Sequence, residues 1–275
     1  MLTLISTPIG NLSDICDRSR KALEESEILA CEDTRQTRKL LSLLGLKTKA
    51  KLISYHDHNG AKIRPKILDA LSKGIKVGLV SDAGTPLISD PGYKLVKEVR
   101  EKGYAVTATA GACSPILALI LSGLPSDRFL FHGFLPDKTK QATTLLQETK
   151  QLQITSIFFV SPSQCKGKIA LIKDLWGDRP ASLVRELTKL HEEVITKTLS
   201  GLEEHLEIKG IPKGELVLLV GPAEAQEDYS QDEIETLLAE RLKSLSLKDA
   251  VAEITSQTGR PRKDIYQLAL RLKPE

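Results

Sequence analysis

The sequence predicts an α/β protein of two layered domains followed by a small helical segment. Two observations carry that expectation. Short apolar runs alternate with segments of helical periodicity through the first half of the chain, the pattern of parallel strands joined by right-handed crossovers. Gly123-Leu-Pro125 then interrupts the alternation, and a second series begins beyond it. Length agrees: 275 residues exceed a typical domain of about 100–200 residues. With 41% hydrophobic and 27% charged residues, the chain can bury a real core.

The first series reads as follows. Leu2 to Ser6 is a strand closed by Pro8 and Gly10, and a helix over 14–25 follows the candidate caps Asn11, Ser13 and Asp14. Residues 27–31 form a strand. A helix from Thr34 carries Leu40, Leu41, Leu43 and Leu44 and stops at Gly45. A strand at 52–55 precedes a helix over 60–73, with Ile63, Ile67, Leu68 and Leu71 on one side and Gly74 beyond it. Residues 77–81 are a buried strand. Pro91 opens a helix on which Tyr93, Val96 and Val99 recur before Gly103, and Val106 lies in a fifth strand.

The second series predicts strands at 129–131 and 154–160, helices over 138–150 and 166–176, and strands at 182–185, 193–198 and 215–220. The strand at 193–198 follows its predecessor after only a short polar link, so this sheet is expected to be mixed. Residues 221–230 are polar and aperiodic and read as a linker. Helices over 232–243, 247–257 and 261–272 complete the chain. The domains expected are 1–122, with a five-stranded, mostly parallel sheet; 123–222, with a mixed sheet; and a helical tail, 231–275.

Several function classes are excluded early. The longest apolar run, Ile116 to Leu121, falls far below the roughly 18 residues of a membrane-spanning helix. The N-terminus lacks the basic flank and apolar core of a signal peptide. Cys16, Cys31, Cys113 and Cys165 are scattered without a C-x-x-C pair, which argues against a zinc knuckle and fits a reducing compartment. The protein is expected in the cytoplasm, away from membranes. A net charge of +3 implies no particular partner.

Ligands of open parallel sheets bind beyond the carboxyl ends of the strands. There the chain places Ser6-Thr-Pro-Ile-Gly-Asn11, Glu32-Asp-Thr-Arg35, His56-Asp-His-Asn59, Ser81-Asp-Ala-Gly-Thr-Pro86 with Asp90-Pro-Gly92, and Thr109-Ala-Gly-Ala-Cys-Ser-Pro115. Turn chemistry accounts for the Gly and Pro but not for Glu32, Asp33, Arg35, His56, Asp57 and His58. No G-x-G-x-x-G, P-loop or G-x-S-x-G sequence occurs. Two histidines at spacing two, without an evident third ligand, do not make a metal site, and no metal is expected. What remains suits a zwitterionic or heterocyclic small molecule.

These loops, together with Gly123-Leu-Pro-Ser-Asp-Arg128, Arg185-Glu-Leu-Thr-Lys189 and Lys213-Gly-Glu215, resemble the tetrapyrrole methylase superfamily. The match is closest to the branch that methylates the ribose 2′-oxygen of a cytidine in 16S rRNA of the small ribosomal subunit. The resemblance covers roughly residues 1–220 and a family-like tail. It implies S-adenosylmethionine in a cleft between two α/β domains, bordered by Pro8, Ile9 and Gly10, lined by Asp82, Gly84 and Thr85, and covered by Gly111, Cys113 and Ser114. Val160, Leu187 and Gly214 would contribute from the second domain. Cys113 also reads simply as a small packed hydrophobe. A homodimer is implied by resemblance alone. Two departures stand out. Ala110-Gly-Ala112 replaces the family's Pro-Gly-Pro, and Phe159-Val-Ser-Pro-Ser-Gln164 replaces Tyr-Glu-Ser-Pro-His-Arg.

Methyl transfer to a ribose hydroxyl demands alignment and benefits from a base or an alkoxide stabiliser. The candidates are Glu32, Asp33, His56 and His58, with Arg35 as a phosphate or alkoxide partner. Alternatively, Asp57 and Asn59 only cap the helix near residue 60. Two other functions fit the same motifs: C-methylation of a tetrapyrrole, which the 4% aromatic content and polar loops disfavour, and rRNA binding without catalysis. In the tail, Leu247, Ala250, Val251 and Ile254 face Ile265, Leu268 and Ala269 across Thr258-Gly259 in a helix-turn-helix-like pattern. Arg260, Arg262 and Lys263 at that turn suit RNA phosphates; a helical cap carrying solubilising charges is the alternative.

Overall fold

The computed structural model of the protein describes residues 1–223 and 229–272. Met1–Ala223 form one compact unit, and the described residues of the tail belong to a second.

The first sheet contains β1 (Leu2–Ile5), β2 (Ile28–Cys31), β3 (Lys51–Ser54), β4 (Val77–Val80) and β5 (Val106–Ala108). Its order is β3-β2-β4-β1-β5, with every neighbour parallel. The crossovers are α1 (Asp17–Glu25), α2 (Thr34–Leu43), α3 (Gly60–Ser72) and α4 (Tyr93–Glu101). Right-handed connections running in opposite directions along a sheet must lie on opposite faces. Accordingly α1 and α2 bury Leu23 and Leu41 against Ile5, Leu29 and Val80. From the other face α3 and α4 bury Ile67, Leu71, Leu95 and Val99 against Leu2, Ala30 and Leu79. Being covered on both sides explains why Val77 to Val80 is an unbroken buried run. The chain leaves β1 toward one edge and leaves the adjacent β4 toward the other, so their loops part and open a crevice.

The second sheet contains β6 (Phe129–Phe134), β7 (Thr155–Val160), β8 (Pro180–Arg185), β9 (Glu193–Thr198) and β10 (Leu216–Val220), in the order β6-β7-β10-β8-β9. β6 and β7 are parallel, whereas β10 is antiparallel to both β7 and β8, and β8 to β9. The sheet is mixed, as the short link before β9 predicts. Its helices are α5 (Ser114–Ser122), α6 (Thr139–Thr149), α7 (Pro162–Trp176) and α8 (Leu199–Lys209). On one face α6, α7 and α8 bury Leu146, Ile169, Trp176 and Leu202 over Phe158, Leu183 and Leu218. On the other, α5 lays Ala118 and Leu119 over Ile157, Val184, Val217 and Leu219.

Several boundaries differ from the sequence reading. Asn11 does not cap a helix over 14–25: its side chain accepts from the Ser13 amide over a single 3-10 turn, Leu12–Asp14, and α1 starts later behind Cys16. α7 begins at Pro162 rather than 166 because proline suits a first helical turn. The sequence reading contains neither α5 nor α8. α5 is apolar nearly all round, so its run has no helical period. α8 was legible: Leu199, Leu202 and Leu206 share a face, Thr198 accepts from the Gly201 amide, and Gly210 follows its end. α5 falls within the expected first domain yet packs on the second sheet.

In the tail, α9 (Gln231–Leu242), α10 (Leu247–Thr258) and α11 (Arg262–Leu272) enclose Ile234, Leu238, Ala250, Val251, Ile254, Ile265 and Ala269. Ser230 and Glu233 form a capping box, and Gly259 at φ +66° ends α10. Residues 224–228 of the expected linker and Lys273 lie outside the described residues.

Candidate active site

Hydrogen bonds between the strand-end loops build the rim of the first sheet. Thr7 and Gly84 exchange backbone bonds of 2.9 and 3.1 Å, which ties the loops after β1 and β4 together. Ser6 Oγ donates to the Thr109 carbonyl at 3.0 Å, and Thr85 Oγ1 donates to the Ala112 carbonyl at 2.9 Å. Gly111 lies so close to Ser6 that a Cβ would stand 2.4 Å from the serine Cβ. The loop after β4 holds Leu87 and Ser89 at φ +74° and +64°. Left-handed non-glycine residues cost about 1–3 kcal/mol each and gather at functional sites.

The second sheet supplies the facing wall. Glu186 and Thr188, at φ +49° and +64°, turn the chain after β8. Lys189 Nζ donates to Glu186 Oε1 at 2.9 Å and to Glu215 Oε2 at 3.0 Å. The Glu215 amide donates to Glu186 Oε1 at 2.9 Å. Gly10 closes the two halves together: a Cβ there would meet Lys189 Cγ at 2.4 Å and Thr188 Oγ1 at 2.8 Å.

Between rim and wall lies a cavity of about 410 Å³, within the roughly 300–1,000 Å³ range of small-molecule sites. Of the residues expected to contact a cofactor, Ile9, Gly84, Thr85, Cys113, Ser114, Val160, Leu187 and Gly214 line it. Pro8, Gly10, Asp82 and Gly111 are outside that lining. Gly10 and Gly111 serve as close-approach points, and Asp82 Oδ1 accepts from the Asp33 amide at 3.0 Å. Cys113 is half-buried, with its thiol pKa pushed up by burial, and it borders the cavity. Sequence reasoning missed Ser89, Phe134, Val184 and Val217, which also line it, and named Asp90 and Phe159 without assigning them to a cofactor. The string Ser81 to Gly92 pointed at Ser89 and Asp90; which face of a strand points inward needed the sheet register.

Asp90 is the carboxylate of that lining drawn from the first sheet. Burial, then the nearby Asp82 charge, raise its pKa above the ordinary aspartate value, and the Ser81 hydroxyl partly opposes the rise. Glu32, Asp33, Arg35, His56 and His58, the expected catalytic candidates, are all outside that lining, and Glu32 is within electrostatic reach of Asp90. The pKa of Glu32 is also raised, first by burial and then by Asp90, Asp82 and Asp57. Asp33 differs: the Arg35 guanidinium, with Nη2 2.6 Å from Oδ2, and the Arg35 amide hold its pKa down to about 2. His56 and His58 stand edge to face at 5.9 Å. His56 Nδ1 is buried without a hydrogen-bond partner among the described residues. Asn59 gives α3 no side-chain cap; instead its Oδ1 accepts from the His56 amide at 3.0 Å and shapes the loop. Among the described residues, no group of three or more His, Cys, Asp or Glu gathers as metal ligands. Arg260, Arg262 and Lys263 are exposed at the turn before α11 and on its first residues.

The comparisons with known proteins agree with this geometry. The family model for Tetrapyrrole (Corrin/Porphyrin) Methylases matches residues 1–203, and that for the RsmI C-terminal HTH domain matches 228–273. Ribosomal RNA small subunit methyltransferase I of Mesorhizobium japonicum is 44% identical over 273 residues, spanning 99% of this chain and 92% of the relative. Among solved structures, a diphthine synthase superposes with a TM-score of 0.63 at 14% identity, over 80% of this chain and 89% of its own. Uroporphyrin-III C-methyl transferase from Thermus thermophilus, complexed with S-adenyl homocysteine, gives 0.55 at 17%, over 80% and 96%. The chain belongs to the tetrapyrrole methylase family, in its ribosomal RNA small subunit methyltransferase I group.

Proposed function

We propose that the protein transfers a methyl group from S-adenosylmethionine to the 2′-oxygen of a cytidine ribose in 16S rRNA of the small ribosomal subunit. The observation that carries this reading is a cavity at the crevice between β1 and β4 that joins an apolar slot to a half-buried carboxylate. The relative from Mesorhizobium japonicum bears the name of a small-subunit rRNA methyltransferase, and the Thermus structure carries the demethylated form of the cofactor.

The lining fits that cofactor chemically. Val184, Leu187, Leu216 and Val217 offer a dry slot for adenine, and Glu215 offers a carboxylate to an ammonium. Ser114 and Ser161 add hydroxyls. When bound, the cofactor supplies an electrophilic methyl group on a sulfonium. Asp90 accepts the proton of the attacking hydroxyl, because burial makes its carboxylate a stronger base than a solvated one. The neighbouring Asp82 charge adds to that proton affinity, and the Asp90 charge in turn raises the pKa of Glu32. With its carboxylate held at about 2 by Arg35, Asp33 is a weak base, and its role is to orient Arg35 toward RNA phosphate. His56 and His58, on the loop after β3 and outside the cavity lining, take no part in that proton transfer. Arg260, Arg262 and Lys263 in the tail contact phosphates. Two lobes, 1–122 and 123–222, carry the cleft. The protein acts in the cytoplasm as a homodimer, for which Ile116 and Ile120 on the exposed side of α5 provide apolar surface.

The test is mass-spectrometric mapping of 2′-O-methylation after incubating unmethylated small subunits with cofactor and the full chain. One cytidine should gain one methyl group. The absence of methyl transfer to any rRNA nucleotide, with the cofactor bound in calorimetry, overturns the reading.

A further inference from the structure

All five phenylalanines of the chain lie on two neighbouring strands, Phe129, Phe131 and Phe134 on β6 and Phe158 and Phe159 on β7. In a regular strand Phe131 and Phe134 would face opposite sides, since alternate residues point apart. The register of β6 on β7 shifts between Phe131 and Gly133, and Gly133 takes φ +66°. This bulge turns both rings to one face. Phe131 then meets Phe159 edge to face at 5.0 Å, and Phe134 meets it tilted at 5.3 Å. Bulges commonly re-aim a side chain beside an active site.

The strand end is held firmly behind the ring. Leu135 is buried in the core under α7. Lys168 Nζ donates to the Pro136 carbonyl at 2.5 Å, and Gln164 Nε2 donates to Asp137 Oδ1 at 2.6 Å. Gln164 is one of the departures from the family pattern, and here it anchors this loop. Gly133 also passes Ser89 of the opposite rim so closely that a Cβ would stand 3.3 Å from its Oγ. Despite this scaffolding Phe134 remains 61% exposed while lining the cavity. The apolar slot lies deeper, where Val184 is 0% and Leu216 3% exposed. A lone exposed apolar residue is ordinary; one that a bulge aims, a buried neighbour anchors and a cavity borders is a presented surface.

We propose that Phe134 is the stacking platform for the nucleobase of the nucleoside that receives the methyl group, holding a single-stranded, splayed-out base at the cavity mouth. This rests on the reading of RNA as the acceptor. Unstacked bases in RNA loops are typically held on aromatic rings. A platform on a rigid strand fixes the base and so presents the ribose to Asp90 without reading the base identity.

The experiment compares the full chain with Phe134→Ala, Phe134→Leu and Phe134→Trp. A fluorescein-labelled, cytidine-containing single-stranded oligoribonucleotide is titrated by anisotropy, S-adenosylmethionine is titrated by calorimetry without RNA, and methyl transfer to small subunits is measured at saturating cofactor. Stacking on one ring implies a loss of about 5- to 150-fold in oligoribonucleotide affinity for Ala. Leu should lose nearly as much and Trp should keep the affinity. KM for small subunits should rise for Ala while cofactor affinity stays within twofold. Equal oligoribonucleotide affinity in the parent and the Ala variant overturns the platform, whether or not the parent methylates RNA. A tenfold loss of cofactor affinity in Ala also overturns it, by assigning the ring to the cofactor's adenine. If the parent methylates nothing but binds the oligoribonucleotide through Phe134, the platform stands and the activity falls.

Discussion

The two halves of the cavity are built by different means. The first sheet contributes loops, drawn together by backbone exchange between Thr7 and Gly84 and by the hydroxyls of Ser6 and Thr85. The second contributes mainly strand faces, Val184, Leu216 and Val217 on β8 and β10, with Phe134 and Phe159 at the mouth. A rim made of interlocked loops is intolerant of added atoms but polar enough to carry chemistry. A wall made of strand faces derives its shape from the core behind it, so a single side chain can change there without moving the backbone. Substitutions on the rim should therefore damage reaction or fold, and those on the wall chiefly ligand affinity.

The largest expected effect is at Asp90. Asp90→Asn should slow methyl transfer about 10²- to 10⁴-fold, the usual contribution of a positioned base. The stability sign runs the other way. Because burial raises the folded-state pKa, the folded protein keeps a proton that the unfolded chain has already lost. Stability falls as pH climbs from the ordinary aspartate value through the raised one, and transfer should rise across the same window. Thermal melts of the Asn variant should therefore lie above the parent at neutral pH; equal melts would show that the carboxylate carries no burial penalty.

Gly111→Ala comes next. Its new methyl would meet the Ser6 side chain, and overpacking of this kind costs about 1–3 kcal/mol, read as a lower denaturant midpoint at unchanged slope. Glu215→Gln on the exposed edge of the wall should instead leave the midpoint nearly in place and weaken cofactor binding by roughly fivefold, about 1 kcal/mol. If Glu215→Gln unfolds the chain more than Gly111→Ala, the contrast between rim and wall is wrong. The smallest effect is expected from the Arg260/Arg262/Lys263 triple alanine. Cofactor affinity should not move, and the salt slope of RNA binding should flatten by about 2, since each single-strand phosphate left without its cation lowers the slope by about 0.7.

What was legible in the sequence divides along the same line. Loops announce themselves through Gly, Pro and charged residues at strand ends, so Gly84, Thr85, Cys113 and Ser114 could be placed on the cavity in advance. Strand faces are set by register, and register is invisible where a strand is apolar on both sides, as in Leu216–Val220. The bulge at Gly133 reverses the parity of β6, so simple alternation would have put Phe134 on the wrong face. Glu32 and Asp33 stand side by side in one motif with the same charge and opposite pKa shifts. Burial of Glu32, aided by the Asp90 charge, and the Arg35 guanidinium beside Asp33 separate them.

The place of β10 in its sheet bears on how the protein is made. It is the last strand of the second sheet along the chain, yet it lies at the centre, between β7 and β8. The first sheet has all its strands once Ala108 has been synthesised, and the second lacks its keystone until Val220. At translation speeds of about 5–20 residues per second, the growing chain spends roughly 6–20 s with the first sheet complete and the second without its central strand. Premature termination in that interval yields a chain with an intact rim and no opposing wall, exposing apolar strand faces that invite aggregation or degradation. Message regions encoding residues 109–220 are thus where slow translation would be most costly to the yield of folded protein.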